Sequence, residues 1–123
     1  MTGRTVLLTV PMPLNLANSR LHWEKKRRLR NAWEVRAIAQ ERGLRGRHRT
    51  MGRATLAAVM YVSMRMDDDN AVARLKWVCD LLKKRGLIVD DRRPYLTLTG
   101  IPEQRTGSRP PRIELTLTEV VTP

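Results

Sequence analysis

Phenylalanine, cysteine and long apolar runs are missing or scarce in this sequence. Phe is absent and Cys79 is the single cysteine, which excludes an intrachain disulfide and a zinc site built on paired cysteines. No apolar run approaches the roughly 20 residues of a membrane-spanning helix, and we find no signal-peptide cleavage site. We therefore expect no membrane segment and a cytoplasmic protein, with an aliphatic core that includes Cys79 as a small residue.

The motifs of several enzyme classes are also absent. The sequence has no G-x-x-x-x-G-K, no G-x-G-x-x-G and no H-E-x-x-H, so we expect no nucleotide cofactor. A chain of 123 residues that is 41% hydrophobic and 29% charged is typical of one globular domain, here 1–123.

The sequence is strongly basic. The formal net charge is +12, and 19 of the 24 basic residues are Arg, whose planar guanidinium pairs well with phosphate oxygens. A polyanion, DNA first, is the expected partner. We expect phosphate contacts from a set of exposed basic residues: Arg20, Lys25, Lys26, Arg27, Arg28, Arg30, Arg47, Arg49, Arg65 and Arg74.

Apolar periodicity predicts the order β-α-β-α-β-β, which indicates an α+β fold. The predicted strands are 5–10, 53–66, 95–101 and 112–121, and the predicted helices are 23–42 and 71–85. Between them lie a basic loop at 45–53 and a connection at 102–111 rich in Pro, Gly and Arg.

The acidic residues are concentrated, since all six Asp lie between Asp67 and Asp91. On an extended backbone Asp67 and Asp69 would face one pocket, with Asp68 facing away. Mg²⁺ prefers oxygen ligands and commonly takes only one or two carboxylates. The spacing therefore predicts a Mg²⁺ site, with Asp90 or Asp91 as a third carboxylate.

Two structural alternatives compete with this interpretation. An Asp run between a strand and a helix also caps the helix and favours its dipole. Lys76 lies two helical turns after Asp69, where it could hold a phosphate, but it could equally form an i, i+4 pair with Asp80.

The same residues resemble the RusA-type Holliday junction resolvases, especially the shorter phage-borne members. The motif is Asp67-Asp68-Asp69-Asn70, Lys76, Asp80, Leu82, Gly86 and Asp90-Asp91. The N-terminal stretch Pro11-Met12-Pro13, Asn15, Arg20 and His22 resembles that family's opening motif. One departure is that the interval from Asn70 to Lys76 is about three residues longer than in the best-known bacterial member, nearly one helical turn.

The resemblance implies a RusA-like fold with four strands in one mixed sheet and two main helices. It also implies a homodimeric, Mg²⁺-dependent endonuclease, with Mn²⁺ able to substitute, that nicks opposed strands of a four-way junction in a bacterial cell. By position, Asp67, Asp69 and Asp91 correspond to its catalytic and metal-binding carboxylates and Lys76 to its functional lysine, with Asp90 as the alternative to Asp91.

Chain geometry suggests that the third carboxylate comes from another subunit. A helix from Asn70 to Arg85 is about 24 Å long, and the five residues after Gly86 return at most about 17 Å. We therefore hypothesise a metal site completed across a dimer interface. The main competing function is a non-catalytic DNA-binding or architectural protein. An RNA-binding or membrane-surface protein is a weaker alternative, because the sequence lacks an aromatic stacking platform and a membrane-facing apolar stripe.

Overall fold

The computed structural model describes residues 2–14, 20–107 and 110–121. It has two helices and a mixed five-stranded sheet, which confirms the α+β class. The elements are β1 (Thr2–Pro11), α1 (Trp23–Gln40), a 3₁₀ turn (Arg42–Leu44), β2 (Ala54–Val62), α2 (Asp68–Lys84), β3 (Leu96–Leu98), β4 (Glu103–Thr106) and β5 (Arg112–Val120).

The sheet is organised around β2. Strand order is β1-β5-β2, with β5 antiparallel to both neighbours. The other edge of β2 pairs in parallel with two short strands, first β3 along Ala54–Leu56 and then β4 along Val59–Val62. Burial on both sides of β2 explains why its sequence is apolar almost throughout.

The predicted count of four strands was wrong because β4 lies in the segment predicted as a connection. Its sequence, Glu-Gln-Arg-Thr, carries no apolar alternation, and its residues are exposed or half-buried. β4 is stabilised by its backbone pairing with β2. The predicted extension of β2 to Met66 was also wrong. β2 ends at Val62. Its pairing with β5 stops one residue earlier, at Tyr61, because Tyr61 pairs with Arg112, the first residue of β5.

Helix α1 is buried over only part of its length. Trp33, Glu34 and Ala37 are its buried residues, and the Trp33 indole Nε1 donates to the Pro11 carbonyl at 2.8 Å. The apolar spacing of the sequence predicts that Val35 faces the core, but its side chain is 67% exposed. No residue of the first two turns, 23–30, is buried, so this end of α1 extends beyond the core.

Helix α2 buries most of its apolar positions, although Val72, which its spacing predicts to face the core, is 40% exposed. Ala71, Leu75, Val78, Leu81 and Leu82 are buried and join one core cluster with the sheet. The helix starts at Asp68 rather than at the predicted residue 71, because Asp is favoured at the positive end of a helix dipole. Among the described residues, neither helix has the length and apolar character required to cross a membrane.

The segment predicted as a basic loop carries a buried anchor. Met51 is fully buried, its N–H donates to the Leu87 carbonyl at 2.9 Å, and it forms an isolated parallel bridge with Ile88. Lys84 Nζ lies 2.8 Å from a carboxylate oxygen of Glu34, which ties the C-terminal turn of α2 to α1.

Candidate functional site

The segment between β2 and α2 is held in place by Gln104 of β4. The side-chain oxygen of Gln104 accepts from the Met66 N–H at 2.8 Å, and its amide nitrogen donates to the Met66 carbonyl, also at 2.8 Å. The start of Asp67-Asp68-Asp69 is therefore fixed at the end of the sheet where β2 and β4 finish side by side.

The three aspartates occupy the first positions of α2. Asp67 is the N-cap with extended backbone (φ −61°, ψ 153°), and its side chain makes no capping hydrogen bond. Asp68 and Asp69 are in the first helical turn, where successive side chains rotate by about 100°. The expectation that an extended backbone places Asp67 and Asp69 on one side was therefore wrong. An open pocket is lined by Arg65, Met66, Asp67 and Asp68, so Asp68 faces the pocket that it was expected to avoid.

These three carboxylates lack protein counter-ions. All three residues are exposed, and within the described part of the chain none forms a salt bridge. Most other acidic residues do have basic partners: Glu34 with Lys84, Asp90 with Lys83 and Arg92, Glu103 with Arg105, Glu114 with Arg112, and Glu119 with Arg49. In a chain of net charge +12, the acidic start of α2 is a local exception.

Asp90 and Asp91 lie beside the other end of α2. Asp90 forms salt bridges with Lys83 at 3.5 Å and Arg92 at 3.1 Å, whereas no salt bridge involves Asp91 among the described residues. The pKa of Asp91 is raised because its side chain hydrogen-bonds to the Asp90 carboxylate, with partial desolvation and a further bond to Asp80 adding to the effect. The pKa of Asp90 is lowered by the same bond from Asp91 and then by its bond to Arg92. Asp90 is thus paired with two cations, and Asp91 is hydrogen-bonded to Asp90 and Asp80, so either carboxylate would have to exchange a protein partner to bind a metal ion.

One chain does not bring the predicted carboxylates together. Asp91 contacts Asp80, and Asp80 is 11 residues along α2 from Asp69, a rise of about 16 Å. Over residues 2–14, 20–107 and 110–121, no group of three or more His, Cys, Asp or Glu side chains could hold a metal ion. The donors at Asp67–Asp69 still fit the simpler arrangement in which Mg²⁺ binds one or two carboxylates and completes its shell with water.

Lys76 is exposed on α2. Its alternative role as an ion-pair partner of Asp80 is not observed, since no such salt bridge forms in the described part of the structure and Asp80 instead contacts Asp91. The Lys76 ammonium therefore remains available for an anion.

Most of the predicted phosphate-binding residues are exposed. Those exposed are Arg20, Lys25, Arg27, Arg28, Arg47, Arg49 and Arg65, while Lys26, Arg30 and Arg74 are half-buried. Two already have protein partners, because Arg49 lies 3.6 Å from Glu119 and Arg74 donates to the Pro13 carbonyl at 2.9 Å. Asn15 of the N-terminal motif lies outside the described residues.

Gln104 and Trp23 were missed by sequence reasoning. Gln104 lies in a segment without apolar period, so nothing local indicated that it would reach Met66. Trp23 was recognised only as the start of a helix, yet its side chain is 60% exposed.

A scan against protein-family models finds no matching family, and a search of curated proteins finds no match. The resemblance to RusA-type resolvases therefore rests on the motif residues themselves.

Proposed function

We propose that this protein is a small Mg²⁺-dependent DNA endonuclease that cuts branched DNA such as four-way junctions, acting as a homodimer in the bacterial cytoplasm. The observation that carries the proposal is the run of three exposed carboxylates that form no salt bridge with any described residue in a chain of net charge +12. Such a run is costly next to DNA unless a cation lies between the carboxylates and the phosphates.

The chemistry assigned to each residue follows from its charge and position. Asp67, with Asp68 or Asp69, would hold Mg²⁺, which when bound lowers the pKa of water and neutralises charge on a phosphate. Arg65 lines the same pocket and would orient a phosphate oxygen. Lys76, exposed two turns along α2 from Asp69, would contact the phosphate backbone. Gln104 is a positioning residue, because it holds the loop that precedes Asp67.

A homodimer supplies what one chain lacks. Because Asp91 contacts Asp80, which lies about 16 Å along α2 from Asp69, a third carboxylate at Asp67 would come from the partner subunit. Mixing Asp67→Asn subunits with Asp91→Asn subunits tests this arrangement. Restored cleavage in the mixture supports a shared site, and two inactive variants that stay inactive together argue against it.

The decisive experiment incubates the protein with labelled four-way junctions and linear duplexes across a Mg²⁺ series. We expect junction cleavage that EDTA abolishes, and a loss of roughly 100-fold in Asp67→Asn, the order seen when one group stabilising transition-state charge is removed. Comparing Asp68→Asn with Asp69→Asn identifies the second ligand. Glu114→Gln, which removes one exposed carboxylate elsewhere, is the matched control and should retain activity. Equal cleavage of both substrates would remove the junction preference.

A non-catalytic DNA-binding protein is the second candidate, favoured by the exposed basic residues Lys25, Arg27 and Arg28 of α1, which can bind phosphates without a metal ion. In that case the only role of the acidic residues at the start of α2 is their favourable interaction with the helix dipole. Tight junction binding without any nicks in Mg²⁺ or Mn²⁺ would select this alternative.

A further inference from the structure

Trp23 is a large aromatic residue left in solvent at the start of α1. Its side chain is 60% exposed. The Arg27 guanidinium lies 5.1 Å from the indole centroid, and the His22 ring lies 5.6 Å away at a tilt of 34°. These two neighbours orient the indole, while most of its surface remains accessible.

The positive charges that follow Trp23 interact unfavourably with the dipole of α1. Lys25, Lys26, Arg27, Arg28 and Arg30 follow it within two turns, against a single Glu24. None of these five basic residues has a salt bridge in the described part of the chain. The positive end of the helix dipole lies in the same turns, so the cations are there at an electrostatic cost. A bound polyanion would relieve that cost.

We propose that Trp23 stacks on an unpaired base of branched DNA while the neighbouring basic residues bind the flanking phosphates. Indole rings stack on any base, because every base has a π face, and combining such stacking with backbone cations is how proteins bind unpaired strands. The inference rests on the proposed function for its DNA partner and adds the structural element that is recognised. Trp23 lies ten residues from the buried Trp33, about 15 Å along α1. The proposed DNA contact is therefore well separated from the residue that packs α1 against the core.

An anionic membrane is the other surface that attracts tryptophan beside basic residues. Interfacial helices also need a continuous apolar face. Residues 23–30 offer only Trp23 and Leu29 as large apolar side chains, and Leu29 is half-buried. The start of α1 therefore fits DNA better.

The test measures binding in EDTA, where Mg²⁺-dependent cleavage is absent, at one fixed salt concentration. The probes are a duplex with a short single-stranded gap that contains 2-aminopurine and the matched fully paired duplex. Trp23→Ala should weaken binding to the gapped DNA by at least about fivefold, the lower end of base–aromatic stacking, and leave paired-duplex binding unchanged. Trp23→Phe should retain most of the affinity, and Val35→Ala, which removes another exposed apolar side chain of α1, should retain all of it.

The outcomes separate this inference from the proposed function. An equal loss on both DNAs, no loss at all, or unchanged 2-aminopurine fluorescence overturns the role of Trp23 even if the protein cleaves junctions in Mg²⁺. Trp23-dependent binding to the gap without cleavage in Mg²⁺ keeps the inference and removes the nuclease. A tryptophan emission shift with phosphatidylserine vesicles that DNA does not produce overturns the inference in favour of a membrane.

Discussion

At the scale of single residues, Cys79 of α2 is a thiol that lies close to the carboxylates of Asp91 and Asp80. The thiol is half-buried and packs against the core. Burial, followed by the nearby carboxylates of Asp91 and Asp80, raises the pKa of Cys79 from 9.0 to about 12. Because this pKa lies above that of the unfolded chain, the thiol's contribution to stability is present below pH 9 and is lost as the pH rises towards 12.

The raised pKa predicts an unreactive thiol, since the thiolate is the nucleophile. At pH 8, iodoacetamide should modify Cys79 at least about tenfold more slowly in the folded protein than in urea, because one pKa unit is a factor of ten in thiolate. Mass spectrometry of timed samples measures both rates. Equal rates would mean that the thiol is neither buried nor electrostatically suppressed.

The sequence predicted the position of the acidic segment correctly, but it did not predict the directions of the three Asp side chains. Asp67-Asp68-Asp69 was predicted to lie at a strand–helix junction, and it does. Which carboxylates share a pocket depends on the first helical residue, because one residue of shift rotates each side chain by about 100°. No sequence pattern fixes that boundary, and thus Asp68 rather than Asp69 lines the pocket with Asp67.

At the scale of elements, the end of α2 is defined by Gly86. The N–H of Leu87 donates to the Leu82 carbonyl and the N–H of Gly86 to the Lys83 carbonyl, both at 3.0 Å, which is the Schellman pattern. Gly86 has φ +76°, a left-handed conformation that costs other residues energy. The sequence predicted this ending because glycine is favoured at that position.

Gly86→Ala should therefore lower the free energy of unfolding by about 1 kcal/mol. Space is not the cause, since an added Cβ would meet no atom within 4 Å. Gly52→Ala is the matched control, because that glycine is equally unobstructed and has no left-handed φ, and it should change stability by less than about 0.5 kcal/mol. Urea denaturation measures both variants, and equal effects would contradict the backbone explanation.

The elements differ in how far their sequences predicted them. Leu75, Val78 and Leu82 of α2 are buried as their spacing predicts, whereas Val72 of the same predicted stripe is 40% exposed. The apolar periodicity of α1 did not predict which of its residues are buried, because the burial of a helix depends on which distant segments of the chain pack against it. β4 was missed for a related reason, since its pairing with β2 rather than its own composition makes it a strand.

At the scale of the whole molecule, the net charge of +12 predicts DNA binding that weakens steeply with salt. The slope of log K against log salt is about −0.9 per phosphate contacted. Arg28 is exposed and without a salt bridge among the described residues, so Arg28→Gln should reduce that slope by about one contact. Arg49→Gln should reduce it less, because Glu119 lies 3.6 Å away. Fluorescence anisotropy in EDTA across a salt series measures both slopes, and identical slopes in all three proteins would contradict a role for Arg28.

The position of β5 has a consequence for how the protein is made. β5 lies between β1 and β2 in the sheet, although it follows both in the chain. In the described sheet β1 pairs only with β5, so during translation β1 has no native strand partner until residues 112–120 have emerged. The nascent chain must therefore keep its first strand unpaired through most of elongation, and the sheet can close only once β5 inserts, a non-local step that slows folding.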